Sequence, residues 1–126
     1  MILASQVKND LAIYEREAHA WWDGGTRTFR SLQRVKAFHL AELERLFGAE
    51  LLGASVVDLG CGGGLLAVPL AARGSSVIGI DRSPRSVRAG REAAARAGVL
   101  HRCRFAVADL VGTPLEAGGF DLALLS

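Results

Sequence analysis

A glycine-rich segment at residues 56–64, VVDLGCGGG, constrains the fold of this chain more than any other feature. An apolar β-branched run enters the glycines, and apolar residues with helical spacing follow them. Glycine adopts backbone conformations that other residues avoid and lets a ligand approach the main chain, while the start of a helix offers free N–H groups. The segment therefore predicts a strand over residues 55–59, a ligand-binding turn, and a helix over about 64–73.

The rest of the chain continues this alternation of short apolar runs and helical segments. Ser83 and Pro84 form a strong helix start, as N-cap and first helical position, and Gly98 ends that helix. Further strands are predicted over residues 76–80, 103–107 and 120–125. Strands separated by helices of this length make right-handed crossovers in a parallel sheet, so the predicted fold class is α/β.

Residues 1–52 are predicted to form a helical N-terminal extension, and residues 53–126 the sheet domain. One helix is expected from residue 9 or 10 to about Trp22, where an Asp-Gly-Gly-Thr stretch interrupts it. A second helix is expected over residues 31–47, with Gly48 as its C-terminal stop. Its predicted buried stripe consists of Leu32, Val35, Leu43 and Leu46.

The composition excludes several classes of protein. Half of the 126 residues are hydrophobic, which is enough for a packed core and excludes a disordered chain. The net charge of +2 gives no basis for nucleic-acid binding. No apolar run reaches the roughly 20 residues of a membrane span. Two cysteines, Cys61 and Cys103, make no disulfide framework, so a cytoplasmic protein without a metal site is expected.

The register of the glycines separates two classes of cofactor. A dinucleotide fingerprint requires G-x-G-x-x-G, and the third glycine is missing whether the count starts at Gly60, which gives Leu65, or at Gly62, which gives Ala67. The observed spacing is instead an acid, Asp58, followed by glycines at alternate positions. The register therefore disfavours a nucleotide-binding oxidoreductase.

The spacing Asp58-x-Gly60-x-Gly62-x-Gly64 resembles the first motif of class I S-adenosylmethionine-dependent methyltransferases. Their ligand carries an ammonium and a sulfonium instead of a pyrophosphate, so a carboxylate at the strand end is favourable. Asp81 follows the second strand, where a carboxylate can accept hydrogen bonds from both ribose hydroxyls. The resemblance also implies S-adenosylmethionine as cofactor and an open sheet whose strand ends form the site.

Elements of the N-terminal half are similar to the ubiquinone-biosynthesis O-methyltransferase family. They are Ala-Trp-Trp-Asp at 20–23, Leu-Gln-Arg-Val at 32–35 and Leu-Phe at 46–47. That family methylates hydroxyl groups of polyprenyl-substituted aromatic rings. The resemblance implies a small-molecule substrate of this kind and a role in ubiquinone biosynthesis. Trp21 and Trp22 have two interpretations, as packing residues at a helix end or as a lid over cofactor or substrate.

One stretch departs from the family pattern. Where the family has Asn-Pro-x-Arg, whose Arg helps to bind the cofactor, this chain has Lys-Ala-Phe-His at 36–39, so His39 stands at the Arg position and Arg34 is a substitute cation. The third strand is followed by Asp109, which the resemblance places at the adenine edge. The predicted cofactor contacts are Asp58, Gly60, Gly62, Gly64, Asp81, Arg82, Asp109, Leu110, His39 and Arg34.

The resemblance implies methyl transfer to a hydroxyl oxygen, but no residue is identified as the catalytic base. Cys61 is interpreted as a small buried residue, since no base partner is placed beside it. The arginines of the 84–98 helix are interpreted as a solvated face, with contact to an anionic membrane as the second interpretation. The chain ends in an apolar run, so the resemblance implies a sheet truncated after its fourth strand. A cofactor-binding module without catalysis, or a methyltransferase of another small molecule, remains as an alternative.

Overall fold

The computed structural model describes residues 12–23, 26–109 and 119–125, and its centre is a parallel sheet of four strands. The strands are β1 (Ser55–Leu59), β2 (Ser76–Asp81), β3 (Cys103–Val107) and β4 (Leu122–Leu125). Their spatial order is β3-β2-β1-β4, and every neighbouring pair is parallel. The predicted α/β class and parallel sheet are confirmed.

The strand order creates a switch point beside β1. The chain moves outward from β1 through β2 to β3, and then returns to place β4 on the other side of β1. Ligands of open parallel sheets bind outside the carboxyl ends of the strands at such a point. The sheet therefore positions the residues that follow β1 and β2 for binding.

Two helices connect the first three strands. After the turns that follow β1, α3 (Ala67–Ala72) leads to β2, and α4 (Pro84–Arg96) connects β2 to β3. The Ser83 side chain caps α4 by accepting a hydrogen bond from the backbone N–H of Ser86, as its sequence predicts. The helix predicted over 64–73 is shorter than expected, because its first residues form turns instead of helix.

Among the described residues, two α-helices precede the sheet, and each is followed by a short 3₁₀ helix, the second of them over Gly48–Leu51. The first, α1 (Ala12–Arg16), gives way to a 3₁₀ turn over Ala18–Ala20, so the helix expected up to Trp22 ends early, and residues 9–11 of that prediction lie outside the described residues. The second, α2 (Arg27–Phe47), begins four residues before the predicted start because the Thr26 side chain caps it. Gly48 ends it with a positive φ of 48°, as predicted.

The predicted buried stripe of α2 is wrong at two of its four positions. Val35 is 47% exposed and Leu46 is 59% exposed. The face that packs inward carries apolar residues at intervals of three, four or eight residues along the helix, close to whole numbers of helical turns. Its apolar members are Phe29, Leu32, Leu40, Leu43 and Phe47. This inward stripe has Lys36 between Leu32 and Leu40, and Val35 and Leu46 each lie one residue off it.

The main core lies between the sheet and its helices. The fully buried residues Val56 and Val77 of the sheet pack with Leu70 of α3 and Val87 of α4. A second, aromatic cluster joins the N-terminal segment to the start of α2: the rings of Trp21 and Phe29 meet edge to face at 4.9 Å. This second cluster holds the helical lead-in against the carboxyl ends of β1 and β2.

Candidate functional site

The backbone of the glycine turn after β1 has conformations that glycine adopts at low energetic cost. Gly60, Gly62 and Gly64 have φ values of 77°, 54° and 83°, a region that side chains with a β-carbon avoid. The Gly60 N–H donates to the carbonyl of Ile80 at 2.8 Å, which ties the turn to the end of β2. The alternate spacing of the motif thus reflects three left-handed positions in one turn.

Asp81 connects this turn to the start of α4. One carboxylate oxygen, Oδ2, accepts a hydrogen bond from the Gly62 N–H at 2.9 Å, and Oδ1 accepts one from the Ser83 N–H at 2.9 Å. Each carboxylate oxygen can accept two hydrogen bonds. Asp81 is therefore held in one orientation and can accept a further hydrogen bond at each oxygen.

A cavity of about 540 Å³ lies beside Asp81 and the glycine turn. Its volume is within the range of roughly 300–1,000 Å³ that is typical of small-molecule sites. Residues from the N-terminal segment, α2, the glycine turn and the β2–α4 junction line it: Ala12, Tyr14, Glu15, Trp21, Leu32, Lys36, Gly60, Gly62, Asp81, Arg82, Ser83 and Pro84. The cavity thus combines aromatic surface with both signs of charge at the carboxyl ends of the strands.

The two tryptophans pack directly onto the glycine turn. A β-carbon added at Gly62 would lie 2.4 Å from the Trp21 ring, and one added at Gly63 would lie 2.3 Å from it. The Trp22 Nε1–H donates to the carbonyl of Gly63 at 2.7 Å, and the Trp21 Nε1–H donates to Ser86 Oγ at 2.8 Å. Trp21 therefore both packs the N-terminal segment and forms a wall of the cavity.

Glu15 fixes the same segment to the start of α4. Its Oε1 accepts hydrogen bonds from the Arg85 N–H and from the Ser83 hydroxyl, each at 2.8 Å. The hydrogen bond from the Arg85 backbone is the main reason that the pKa of Glu15 lies below its ordinary value. A negative charge beside the free N–H groups of a helix start is favourable.

Lys36 brings a partly buried cation to the cavity. Burial lowers the pKa of Lys36, and the negative charge of Asp58 opposes part of this shift. Asp58 itself lies on β1 and is fully buried. The two charges therefore interact at the β1 side of the site, whereas Asp81 and Arg82 lie at the end of β2.

The structure brings together only part of the predicted set of site residues. Gly60, Gly62, Asp81 and Arg82 line the cavity. Asp58 and Gly64 are buried outside its lining, and Gly64 instead packs near Phe105. Asp109 is exposed after β3, and the predicted contact Leu110 lies outside the described residues.

The two predicted cations of α2 are also separate from this cavity. Arg34 is exposed on α2. His39 lines a different cavity of about 200 Å³, with Leu66 and the end of β4. The cation that α2 does contribute is Lys36. Its signal in the sequence was a charged residue within the inward stripe between Leu32 and Leu40.

Tyr14, Glu15 and Ser83 line the cavity and were not predicted as site residues. Tyr14 stacks on Trp21 with ring centroids 5.6 Å apart, and Glu15 and Ser83 are linked by a hydrogen bond. No motif marks Tyr14 or Glu15 in the sequence, because their role depends on where the N-terminal segment docks. Ser83 was recognised only as a helix cap.

The two cysteines are buried free thiols. Burial, with the nearby charges of Asp58 and Asp81, raises the pKa of Cys61 far above its ordinary value. Burial also raises the pKa of Cys103 to about 12. Both groups are therefore protonated at neutral pH, which agrees with the interpretation of Cys61 as a packing residue.

In residues 12–23, 26–109 and 119–125, no three His, Cys, Asp or Glu side chains are grouped so that they could hold a metal ion. Nor does any helix within these ranges combine the length and apolar character that crossing a membrane requires.

Comparison with known proteins identifies the family. A family model described as a methyltransferase domain matches residues 56–126, which is more than half of the chain. The chain belongs to the methyltransferase domain family. The matched region contains the glycine turn, β2, β3, β4 and all but the first residue of β1, so the family predicted from the Asp58–Gly64 spacing is confirmed.

Two curated relatives of this methyltransferase domain share one name. The ubiquinone biosynthesis O-methyltransferase of Methylobacterium nodulans is 36% identical over 127 residues, which cover 93% of this chain and 50% of that protein. The enzyme of the same name from Leptothrix cholodnii is 38% identical over 89 residues, covering 71% of this chain and 37% of that protein. The resemblance drawn from the Ala-Trp-Trp-Asp element is confirmed, and the chain spans half or less of the length of these two relatives.

Solved structures show the same fold. Magnesium protoporphyrin IX methyltransferase from Synechocystis, solved with bound S-adenosylhomocysteine, superposes with a TM-score of 0.73 at 23% identity, covering 96% of this chain and 57% of that one. A methyltransferase from Thiobacillus denitrificans, in complex with S-adenosylhomocysteine, gives a TM-score of 0.65 at 24% identity and covers 93% of this chain and 43% of that one. The methyltransferase domain thus has the class I, Rossmann-like sheet.

Proposed function

We propose that this chain is the cofactor-binding part of an S-adenosylmethionine-dependent methyltransferase. The observation that carries the proposal is the position of Asp81, which lines the 540 Å³ cavity at the carboxyl end of β2 and is oriented by Gly62 and Ser83. One hydrogen bond to each carboxylate oxygen leaves each able to accept another. Two adjacent hydroxyl groups, as on a ribose, match this acceptor pair.

The other residues that line the cavity suit a nucleoside that carries a charged amino-acid group. Tyr14 and Trp21 supply stacked aromatic surface, and Leu32 adds apolar contact. Lys36 supplies a cation to the same cavity. No phosphate cradle is needed for such a ligand, in agreement with the absence of the dinucleotide glycine spacing.

The names and bound ligands of similar proteins indicate the chemical class of the cofactor and of the substrate. The curated relatives are named as O-methyltransferases of ubiquinone biosynthesis, and the two solved structures hold S-adenosylhomocysteine. We infer that the whole protein methylates a hydroxyl group of a small molecule, with a polyprenyl-substituted phenol or catechol as the acceptor class. The two partners inferred for the chain are therefore the cofactor and this small-molecule substrate.

The contribution of this chain to such a reaction is alignment and exclusion of water. The sulfonium of the bound cofactor activates the methyl group for in-line displacement, so the protein chiefly has to orient the two reactants. Asp81 and the glycine turn hold the nucleoside end, and the Trp21 wall shields that end from solvent. No described residue is assigned as the base that removes the hydroxyl proton.

Calorimetric titration of the chain tests the proposal. We expect S-adenosylhomocysteine to bind and NAD to give no heat. Asp81→Asn replaces one hydrogen-bond acceptor by a donor and should weaken S-adenosylhomocysteine binding by at least about tenfold, the effect of losing a charged hydrogen bond. Glu92→Gln, at an exposed position on α4, is the control.

The predicted adenine contact is tested separately by Asp109→Asn, which should weaken S-adenosylhomocysteine and adenosine to the same degree. Heat from NAD alone would contradict the proposed function. Unchanged affinity in Asp81→Asn, with the fold intact by circular dichroism, would remove Asp81 from the site.

A further inference from the structure

Lys36 interrupts an otherwise apolar face of α2. The inward stripe of this helix has Leu32 four residues before Lys36 and Leu40 four residues after it, and both leucines pack against buried clusters. A lysine at such a position loses part of its hydration, which the lowered pKa of Lys36 reflects. An apolar side chain would avoid this loss of hydration, so an ammonium group at this position calls for a charged or polar partner.

That group lies at the cavity. Lys36 is a lining residue together with Leu32, Trp21, Gly60 and Gly62. Asp58 of β1 acts on Lys36 electrostatically, and its negative charge favours the protonated form. A partly desolvated cation that faces an open cavity is stabilised when an anion binds beside it, because the new ion pair offsets the free-energy cost of desolvation.

The charges along the cavity wall determine which part of a ligand reaches Lys36. Asp81 and Glu15 are the lining carboxylates, and both contact Ser83 at the start of α4. Arg82 also lines the cavity but directly follows Asp81, at the β2 end of the wall. A ligand whose ribose is held by Asp81 can reach Lys36 with its other end, since both side chains line the same cavity and Asp58 of β1 acts on Lys36.

We infer that Lys36 binds the α-carboxylate of the amino-acid group of the S-adenosyl ligand, as the cation that α2 contributes to the site. This inference rests on the proposed function and adds a residue to it. His39, one helical turn further along, lines the cavity beside Leu66 and β4 instead. Arg34 is exposed on the same helix. The cation of this chain, Lys36, thus lies three residues before His39, which stands at the position of the family's arginine.

Two ligands that differ only in the amino-acid group test the inference. S-Adenosylhomocysteine has the carboxylate, whereas 5′-methylthioadenosine has the same nucleoside and thioether without it. Calorimetric titration of the 126-residue chain with each ligand should compare the wild type with Lys36→Met, Lys36→Arg and His39→Gln. Methionine keeps the length and apolar stem of lysine, and the His39 variant is the matched control on the same helix.

We expect Lys36→Met to weaken S-adenosylhomocysteine by about 10- to 100-fold, the loss of one charge-assisted hydrogen bond, and to change 5′-methylthioadenosine by less than about twofold. Lys36→Arg should restore most of the lost affinity, since the charge is kept. Retained binding of 5′-methylthioadenosine also shows that the variant is folded.

Four outcomes would overturn the inference. Equal loss of both ligands in Lys36→Met would mean that the residue only supports the fold of the site. No loss of either ligand would mean that Lys36 does not contact the ligand. Selective loss of S-adenosylhomocysteine in His39→Gln, with none in Lys36→Met, would assign the carboxylate to His39. If the wild type binds neither ligand, the proposed function itself is wrong and Lys36 has no such role.

Discussion

The indole ring of Trp21 lies so close to Gly63 that a β-carbon on Gly63 would approach the ring Cγ to 2.3 Å. The glycine turn thus leaves room for a tryptophan that lies 42 residues earlier in the chain, as well as for a ligand. Because Trp21 also lines the cavity, the docking of the N-terminal segment and the shape of the site depend on the same contact.

Replacing Gly63 by alanine should displace Trp21. The φ of Gly63 is not positive, so the expected cost of about 1–3 kcal/mol in the free energy of unfolding comes from overpacking. Urea titration measures the loss, and a red shift of tryptophan fluorescence would show that the buried ring has moved. Gly98→Ala is the control for backbone strain, since φ is 73° there and a β-carbon would meet no atom within 4 Å. It should destabilise the chain without changing the fluorescence, whereas an unchanged Gly63→Ala protein would contradict the contact.

Replacing Ser86 by alanine should loosen the N-terminal segment. The Ser86 hydroxyl accepts from the Trp21 Nε1–H and donates to the carbonyl of Tyr14, both at 2.8 Å, in a fully buried position. The substitution leaves these two groups without that partner, at an expected cost of about 1–3 kcal/mol. Ser31→Ala, at an exposed position on α2, should leave the urea midpoint unchanged or slightly higher. Equal midpoints for the two variants would show that the Ser86 contact does not hold the segment.

The contribution of Glu15 to stability should depend on pH. Its pKa is lowered in the folded chain, chiefly by the hydrogen bond from the Arg85 backbone and further by the Ser83 hydroxyl and the nearby Arg85 and Arg88 charges, with burial opposing them. A lowered carboxyl pKa gives stability that is fully present above the unfolded value of about 4.3 and is lost as the pH falls through the folded pKa. The wild type should therefore exceed Glu15→Gln in stability at pH 6, and the difference should close toward pH 3.

Urea midpoints of the wild type, Glu15→Gln and Glu92→Gln across this pH range measure the effect. Glu92 is exposed on α4 and serves as the control carboxylate. A difference between the wild type and Glu15→Gln that stays constant from pH 6 to pH 3 would contradict the assigned contact.

The two thiols should resist modification in the folded chain. Cys61 and Cys103 are 5% and 1% exposed, and burial holds the pKa of Cys103 at about 12 and raises that of Cys61. Since the thiolate is the reactive form, a disulfide reagent at pH 8 should label neither residue at the rate of an exposed cysteine. Labelling should become complete in denaturing urea. Fast labelling of Cys61 alone in buffer would instead show that the glycine turn opens in the native state.

The strands were the most predictable part of the fold. The bounds of β1 and β3 agree with the sequence prediction, and β2 is one residue longer. Buried parallel strands are continuous apolar runs, so their positions follow from local sequence. β4 begins two residues later than predicted, after Asp121, whose carboxylate accepts a hydrogen bond from the Ser55 N–H.

The face of α2 was harder to predict than its existence. Both possible stripes contain leucines at helical spacing, and the choice between them depends on which side of the helix meets the aromatic cluster and the sheet. The same choice decides the cation of the site, since it turns Lys36 toward the cavity and His39 toward β4. The early start at Thr26 was missed because this residue was counted with the interrupting Asp-Gly-Gly-Thr stretch, whereas its backbone is extended and its side chain caps the helix by accepting from the Phe29 N–H.

The sequence by itself determined the α/β class, the glycine turn with its three left-handed residues, and the carboxylate of Asp81 at the end of β2. Each of these depends on residues that are neighbours in the chain, so local conformational preference and apolar patterning are sufficient. Only the tertiary structure decided that Trp21 packs on Gly63, that Glu15 meets the start of α4, and that Lys36 lines the cavity. Those contacts join segments tens of residues apart, and they exist only because the N-terminal helices dock over the carboxyl ends of the strands.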